Sequence, residues 1–213
     1  MPVRDVGART ESPLTSRGQE RRDELVRFAT AKFAQQGYHP TSVAELVDGI
    51  GVGKGVFYWY FASKEDLLRE ILNDALLDVR RHQQAAIRSE SNPIRRIELG
   101  VRASLEWLQQ HAEVMRLVDF AWTEDTFAAD LRKGRAISIE DTARHLREAM
   151  DMGMIEPADP VTLAIAVRGI TEEVARVNAD AANPTVPVED VVRMVISGIT
   201  GKTAIDRERD PVR

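Results

Sequence analysis

Residues 41–67 read TSVAELVDGIGVGKGVFYWYFASKEDL, and this stretch decides how the chain is built. Ser42-Val-Ala-Glu45 has the form of a capping box, in which the serine and glutamate side chains each accept from the other's backbone N–H. It predicts a short helix from Ser42 to about Asp48. Gly49, Gly51 and Gly53 then interrupt the helical run, a spacing suited to a tight turn. A second short helix is expected over Lys54–Phe61. Ser63, with Glu65 and Asp66 behind it, is another N-cap with acid in the first turn, and it opens a long helix to about Arg88. Two short helices across a glycine-containing turn make a helix-turn-helix.

Placing the second short helix at about 100° per residue puts Phe57 and Phe61 together on one side. Gly55, Val56 and Trp59 fall opposite, flanked by Tyr58 and Tyr60. Phe57 and Phe61 read as core. A helix this short cannot bury both faces, so Tyr58 and Trp59 read as an exposed binding surface. Tyrosine hydroxyls and the indole N–H can reach phosphates, and ring edges can touch thymine methyl groups. The glycines admit no nucleotide reading: no Ser or Thr follows Gly53-Lys54, and no Gly-x-Gly is followed by x-x-Gly after a strand.

Working outward, Leu25, Phe28, Ala29 and Phe33 share a face of a helix over Gly18–Gln36, ended by Gly37. Asn92 caps a helix that starts at Pro93 and runs to about Gln110. Further helices are expected over 111–122, 126–152, 161–179 and 188–199, with a break at Pro157–Pro160. No strand pattern is present, so the fold class is all-α.

Thr41–Leu67, together with the preceding LVRFATAKFAQQGYHP, closely resembles the signature of the tetracycline-repressor-type (TetR) family of regulators. The resemblance covers about residues 18–70. It implies an N-terminal three-helix DNA-binding domain and a larger helical domain for ligand binding and dimerisation. Thr41, Ser42 and Val43 would meet phosphate. Lys54, Gly55, Val56, Tyr58, Trp59 and Tyr60 would face the major groove, and Lys64 would hold a phosphate. Gly53 stands where the family usually has a serine cap, and Trp59 where His or Tyr is commoner. The expected division is a disordered leader over 1–17, the helix-turn-helix domain over 18–66, the helical domain over 67–203 and a frayed tail over 204–213.

The net charge of −5 does not favour nucleic acid. Residues 1–66, however, hold nine basic and nine acidic side chains, so the excess acid lies beyond them. Between Ile50 and Ser63 Lys54 is the only charge. The absence of cysteine removes disulfides and thiolate chemistry and fits a cytoplasmic location. No apolar run is long enough to span a bilayer, and no membrane partner is expected. His39, His82, His111 and His145 lack any paired metal-ligand spacing. No catalytic constellation stands out, so neither a metal, a cofactor nor an enzyme is expected.

In the second half, Leu163, Val167, Ile170, Val174 and Val177 repeat at alternating intervals of four and three, an a/d seam. Val188, Val191, Val192, Val195 and Ile199 make a similar stripe. Either stripe could serve the protomer's own core; the family resemblance implies instead a homodimer through the last two helices. Trp107, Met115, Phe120, Trp122, Phe127 and Met150 are large, soft side chains suited to an apolar effector pocket. Arg168 and Glu172 read as a surface i,i+4 pair. The leading expectation is a repressor that binds a palindromic operator in double-stranded DNA and is released by a small apolar or amphipathic molecule. An activator of the same fold, or a helical carrier or enzyme with a vestigial DNA module, are the alternatives.

Overall fold

The computed structural model describes residues 15–180 and 186–201. Among them there are helices and no strands, in the order α1 (Ser16–Gln36), α2 (Val43–Gly49), α3 (Lys54–Tyr60), α4 (Lys64–Ile87), α5 (Pro93–Gln110), α6 (Ala112–Thr123), α7 (Asp125–Asp151), α8 (Pro160–Asp180) and α9 (Val188–Thr200). The all-α expectation holds. The chain separates into two compact units, Met1–Leu67 and Leu68–Arg213.

In the first unit, α1 begins before the expected Gly18. The Thr15 hydroxyl accepts from the Gly18 N–H and caps the helix, so Thr15–Arg17 belong to its start. Residues 1–14, the rest of the expected leader, lie outside the described residues. Ser42 and Glu45 form the full capping box of α2. Two glycines shape the turn that follows. Gly51 sits at φ +67°, where an L side chain is strained. A Cβ on Gly49 would lie 2.1 Å from Cζ of Phe28, so only glycine lets the end of α2 lie against that ring. Leu25, Ala29 and Phe33 from α1 are buried, as are Leu46, Val47, Phe57 and Phe61. Each fully buried Leu or Phe contributes roughly 1.5–3 kcal/mol.

In the second unit, Asn92 accepts from the N–H groups of Ile94 and Arg95 and starts α5, with Pro93 at its first turn. The main core joins α5, α7, α8 and α9 through residues such as Leu105, Leu146, Ala164 and Val191. The expected a/d seams need correcting here. Val167, Val191, Val192 and Val195 are buried in this core, and Leu163, Ile170, Val174, Val188 and Ile199 pack against it. A repeat of three and four marks an apolar face but not the neighbour that covers it. Of the proposed dimer residues only Val177 is exposed. The Asn178 side-chain amide donates to the Val186 carbonyl and its oxygen accepts from the Val186 N–H, which joins α8 to the approach to α9. Residues 181–185 and the expected tail lie outside the described residues.

No described helix is long and apolar enough to cross a membrane.

Candidate functional site

The two units carry different candidate sites. In the first, α3 is buried on one side only. Phe57 is fully buried and Phe61 nearly so, while Tyr58 and Trp59 are 53% and 62% exposed. Lys54 and Gly55 are exposed as well, and Val56 is half-buried. The Gly53 N-cap supplies no side-chain bond, as expected of glycine. A Cβ on Gly55 would meet nothing within 4 Å, so the glycine is not required by packing within the protein. Ser42 is exposed and Val43 half-buried at the start of α2.

Three residues expected at this face do other work. Thr41 is 1% exposed, and its hydroxyl donates to the Gly37 carbonyl at 2.8 Å. The Tyr60 hydroxyl donates to the Gly18 carbonyl at 2.8 Å, which turns it toward α1. The Lys64 ammonium donates to the carbonyls of Tyr38 (2.9 Å), Thr41 (2.8 Å) and His39 (3.4 Å), and lies 4.3 Å from the Tyr38 ring centroid. An ammonium has three donors, and all are directed at these backbone oxygens. Thr41, Tyr60 and Lys64 therefore hold the helix-turn-helix together. Their single letters could not show this, because both roles favour the same polar residue types.

In the second unit a cavity of about 320 Å³ lies between α4 and the wall made by α5, α7 and α8, with residues of α6 joining in. Of the six expected pocket residues, Trp107, Met115 and Trp122 line it. Phe120 and Phe127 do not, and Met150 packs against the main core instead. Trp107 stacks on His111, with ring centroids 4.0 Å apart, and its indole N–H donates to Asp78 at 2.7 Å. That bond is the main reason the Asp78 carboxyl sits below its ordinary value. Leu77 and Ile137 line the cavity yet are exposed, so they form its apolar lip.

The polar lining was missed in the sequence. Arg80 bridges to Asp141 at 2.9 Å, and the Gln83 amide donates to Ser104. Arg168 and Glu172 pair, as expected, but Arg168 is only 18% exposed and faces the cavity. Burial lowers its pKa from the usual arginine value, against the pull of Glu172. His145 is likewise held below the ordinary histidine value, first by burial and then by Arg96 and Arg144.

Residues 25–71 match the sequence model described as bacterial regulatory proteins, tetR family. Over 91 residues the chain is 35% identical to the HTH-type transcriptional repressor KstR2 of Mycobacterium tuberculosis H37Rv, covering 43% of this chain and 46% of that protein. It is 28% identical over 116 residues to the HTH-type transcriptional activator FasR of Mycolicibacterium smegmatis, covering 53% of this chain and 52% of that one. The chain thus spans about half the length of these curated relatives. The structure of AibR in complex with isovaleryl coenzyme A and operator DNA is similar with a TM-score of 0.69 at 18% identity, covering 86% of this chain and all of that one (100%). That likeness shows the fold. Both of these curated relatives are named as transcriptional regulators.

Proposed function

From the match of residues 25–71 to the tetR family of bacterial regulatory proteins, we propose that the chain is a ligand-responsive transcriptional repressor of that family. It binds a palindromic operator as a homodimer and is released when a small apolar or amphipathic molecule enters the second unit. The observation that carries this reading is the exposed Tyr58–Trp59 face on a helix whose opposite side is core. A helix-turn-helix presents its second helix to the major groove, where aromatic edges and an indole N–H meet base edges. Ser42, Val43, Lys54, Gly55 and Val56 complete the contact. The effector half is supported by the cavity in the second unit. AibR, of the same fold, is seen with both a small-molecule ligand and operator DNA. Coupling of about 1–3 kcal/mol between the sites is enough for release.

The dimer face, in this reading, is the side of α8 and α9 that the protomer leaves uncovered. Val161, Ile165 and Val177 on α8 and Met194 on α9 are exposed there. Gly169 and Gly198 lie on exposed positions beside them, each with open space where a Cβ would be.

Selection from a random duplex library tests the whole reading. The chain should enrich a near-palindrome, since a two-fold dimer presents the same helix twice. Trp59→Ala should lose that enrichment while keeping its helical circular dichroism. Ile165→Glu with Met194→Glu should weaken binding and lose the second half-site. A library that yields no preferred sequence overturns the reading. FasR is an activator, and activation through the same face is the second reading. Transcription from a promoter carrying the selected sequence decides between them.

A further inference from the structure

The cavity in the second unit is unevenly lined along its length. One end is apolar, with Leu72 and Leu76 on α4, Leu131 on α7 and Met115 on α6. The other end is where α4 and α7 turn polar, at Arg80, Gln83, Asp141 and His145, and Arg168 lines the same cavity from α8. Arg80 is bonded to Asp141, and His145 stands one turn beyond Asp141 on the same helix, so Arg80, Asp141 and His145 share one region of the wall.

Three nitrogens of the lining residues are buried with no partner among the described residues: Nε of Arg80, Nε of Arg168 and Nδ1 of His145. A buried N–H without an acceptor keeps its desolvation cost uncompensated, and native interiors hold few such groups. Here three face one cavity. The charges around them do not balance either. Arg80 and Arg144 share the single carboxylate of Asp141, Arg96 pairs with Glu148 at 2.7 Å, and Arg168 pairs with Glu172. The lining thus carries four guanidinium groups but, of their carboxylate partners, only Asp141 and Glu172, so the wall is net positive. His145 adds no further charge near neutral pH, because burial and its arginine neighbours hold it in the neutral form.

We propose that the cavity takes a monoanionic amphiphile, a medium-length carboxylate whose head accepts from Arg80, Arg168 and His145 and whose hydrocarbon body fills the end lined by Leu72, Met115 and Leu131. The proposal deepens the reading of this cavity as the effector site and rests on it for its regulatory meaning. A carboxylate offers two oxygens and several lone pairs, enough for the two orphaned guanidinium N–H groups and the imidazole together. At about 30 Å³ per water-sized group, the 320 Å³ cavity holds roughly ten such groups. That fits a chain of about eight to ten carbons.

The test is binding of sodium decanoate below its micellar concentration to the full chain, followed by Trp107 and Trp122 fluorescence and by calorimetry. Decanol and decyltrimethylammonium serve as neutral and cationic controls of the same length. Decanoate should bind at least about tenfold more tightly than decanol, as expected for a charged head meeting fixed donors, and the ammonium should not bind. Arg168→Met should erase the preference for decanoate over decanol. Arg80→Gln does the same job if the first variant fails to fold. Equal affinity for decanoate and decanol overturns the proposal, as does absence of decanoate binding. If decanoate binds as expected but leaves the selected duplex bound, the ligand assignment stands and the release mechanism falls.

Discussion

The two units use their polar side chains in opposite ways. In the first, polar groups that could have faced a ligand are turned inward onto the backbone. Lys64 is anchored by three carbonyls, Thr41 by Gly37, Tyr60 by Gly18, and Ser42 and Glu45 by each other. In the second, Arg80, His145 and Arg168 stand at a void with nitrogens unanswered. The difference suits the partners proposed for each. A duplex is large and meets an outer face, so the unit that reads it gains from a rigid frame with aromatics on one side. A small molecule must be enclosed, and the donors that will hold it stay without acceptors until it arrives.

The strongest way to break this comparison is to damage one unit and watch the other. Phe57 is the central side chain of the first unit, and Phe57→Ala should lower its unfolding free energy by about 3–5 kcal/mol. Decanoate binding by the second unit should survive under conditions where the variant no longer enriches an operator. Loss of both together would show that the second unit depends on the first.

Lys64→Met sharpens the same contrast at a smaller scale. It removes charge-assisted bonds to backbone carbonyls and should cost about 1.5–3 kcal/mol in denaturant titrations. The salt dependence of DNA binding should keep its slope. A slope reduced by about one phosphate per subunit would return Lys64 to the DNA face.

The smallest effect concerns His145. Its folded pKa lies below the ordinary value of about 6.5, chiefly because it is buried. The unfolded chain therefore binds this proton more readily. The folded state keeps its full advantage above about pH 6.5 and loses it as pH falls toward the lowered value. Melting temperatures measured from pH 7.5 to 5.5 should decline, and His145→Gln should flatten that decline. An unchanged slope would mean that His145 is solvated and that the cavity is wetter at this end than its lining implies.

The legibility of the sequence followed the range of the interactions. The helix-turn-helix and the start of α5 were readable because their caps lie within three or four residues of one another, as in Ser42–Glu45 and Asn92–Arg95. The early start of α1 escaped because Thr15 caps Gly18 with no acidic residue to complete a box. The cavity's polar end was not readable. Arg80, His145 and Arg168 come from three helices, and an Arg168–Glu172 pair looks the same in sequence whether it lies on a surface or against a void. The valines of α9 failed for a related reason: their stripe is real, but α5 and its neighbours cover it rather than a second protomer.

From Asn73 onward no residue of α4 is fully buried, and the helix gives nothing to the main core of the second unit. It is tied to α5 and α7 by Trp107–Asp78, Gln83–Ser104 and Arg80–Asp141, while its apolar side chains already face an open cavity. Releasing such a helix breaks hydrogen bonds and uncovers the cavity wall opposite it, where Trp107, Met115 and Leu131 are buried, but it leaves the main core closed. Denaturants act in proportion to the area an opening uncovers. The backbone amides of Ala75–Ile87 should therefore exchange their hydrogens with solvent through a partial opening that depends less on urea than the global unfolding for which those of α5 and α7 wait.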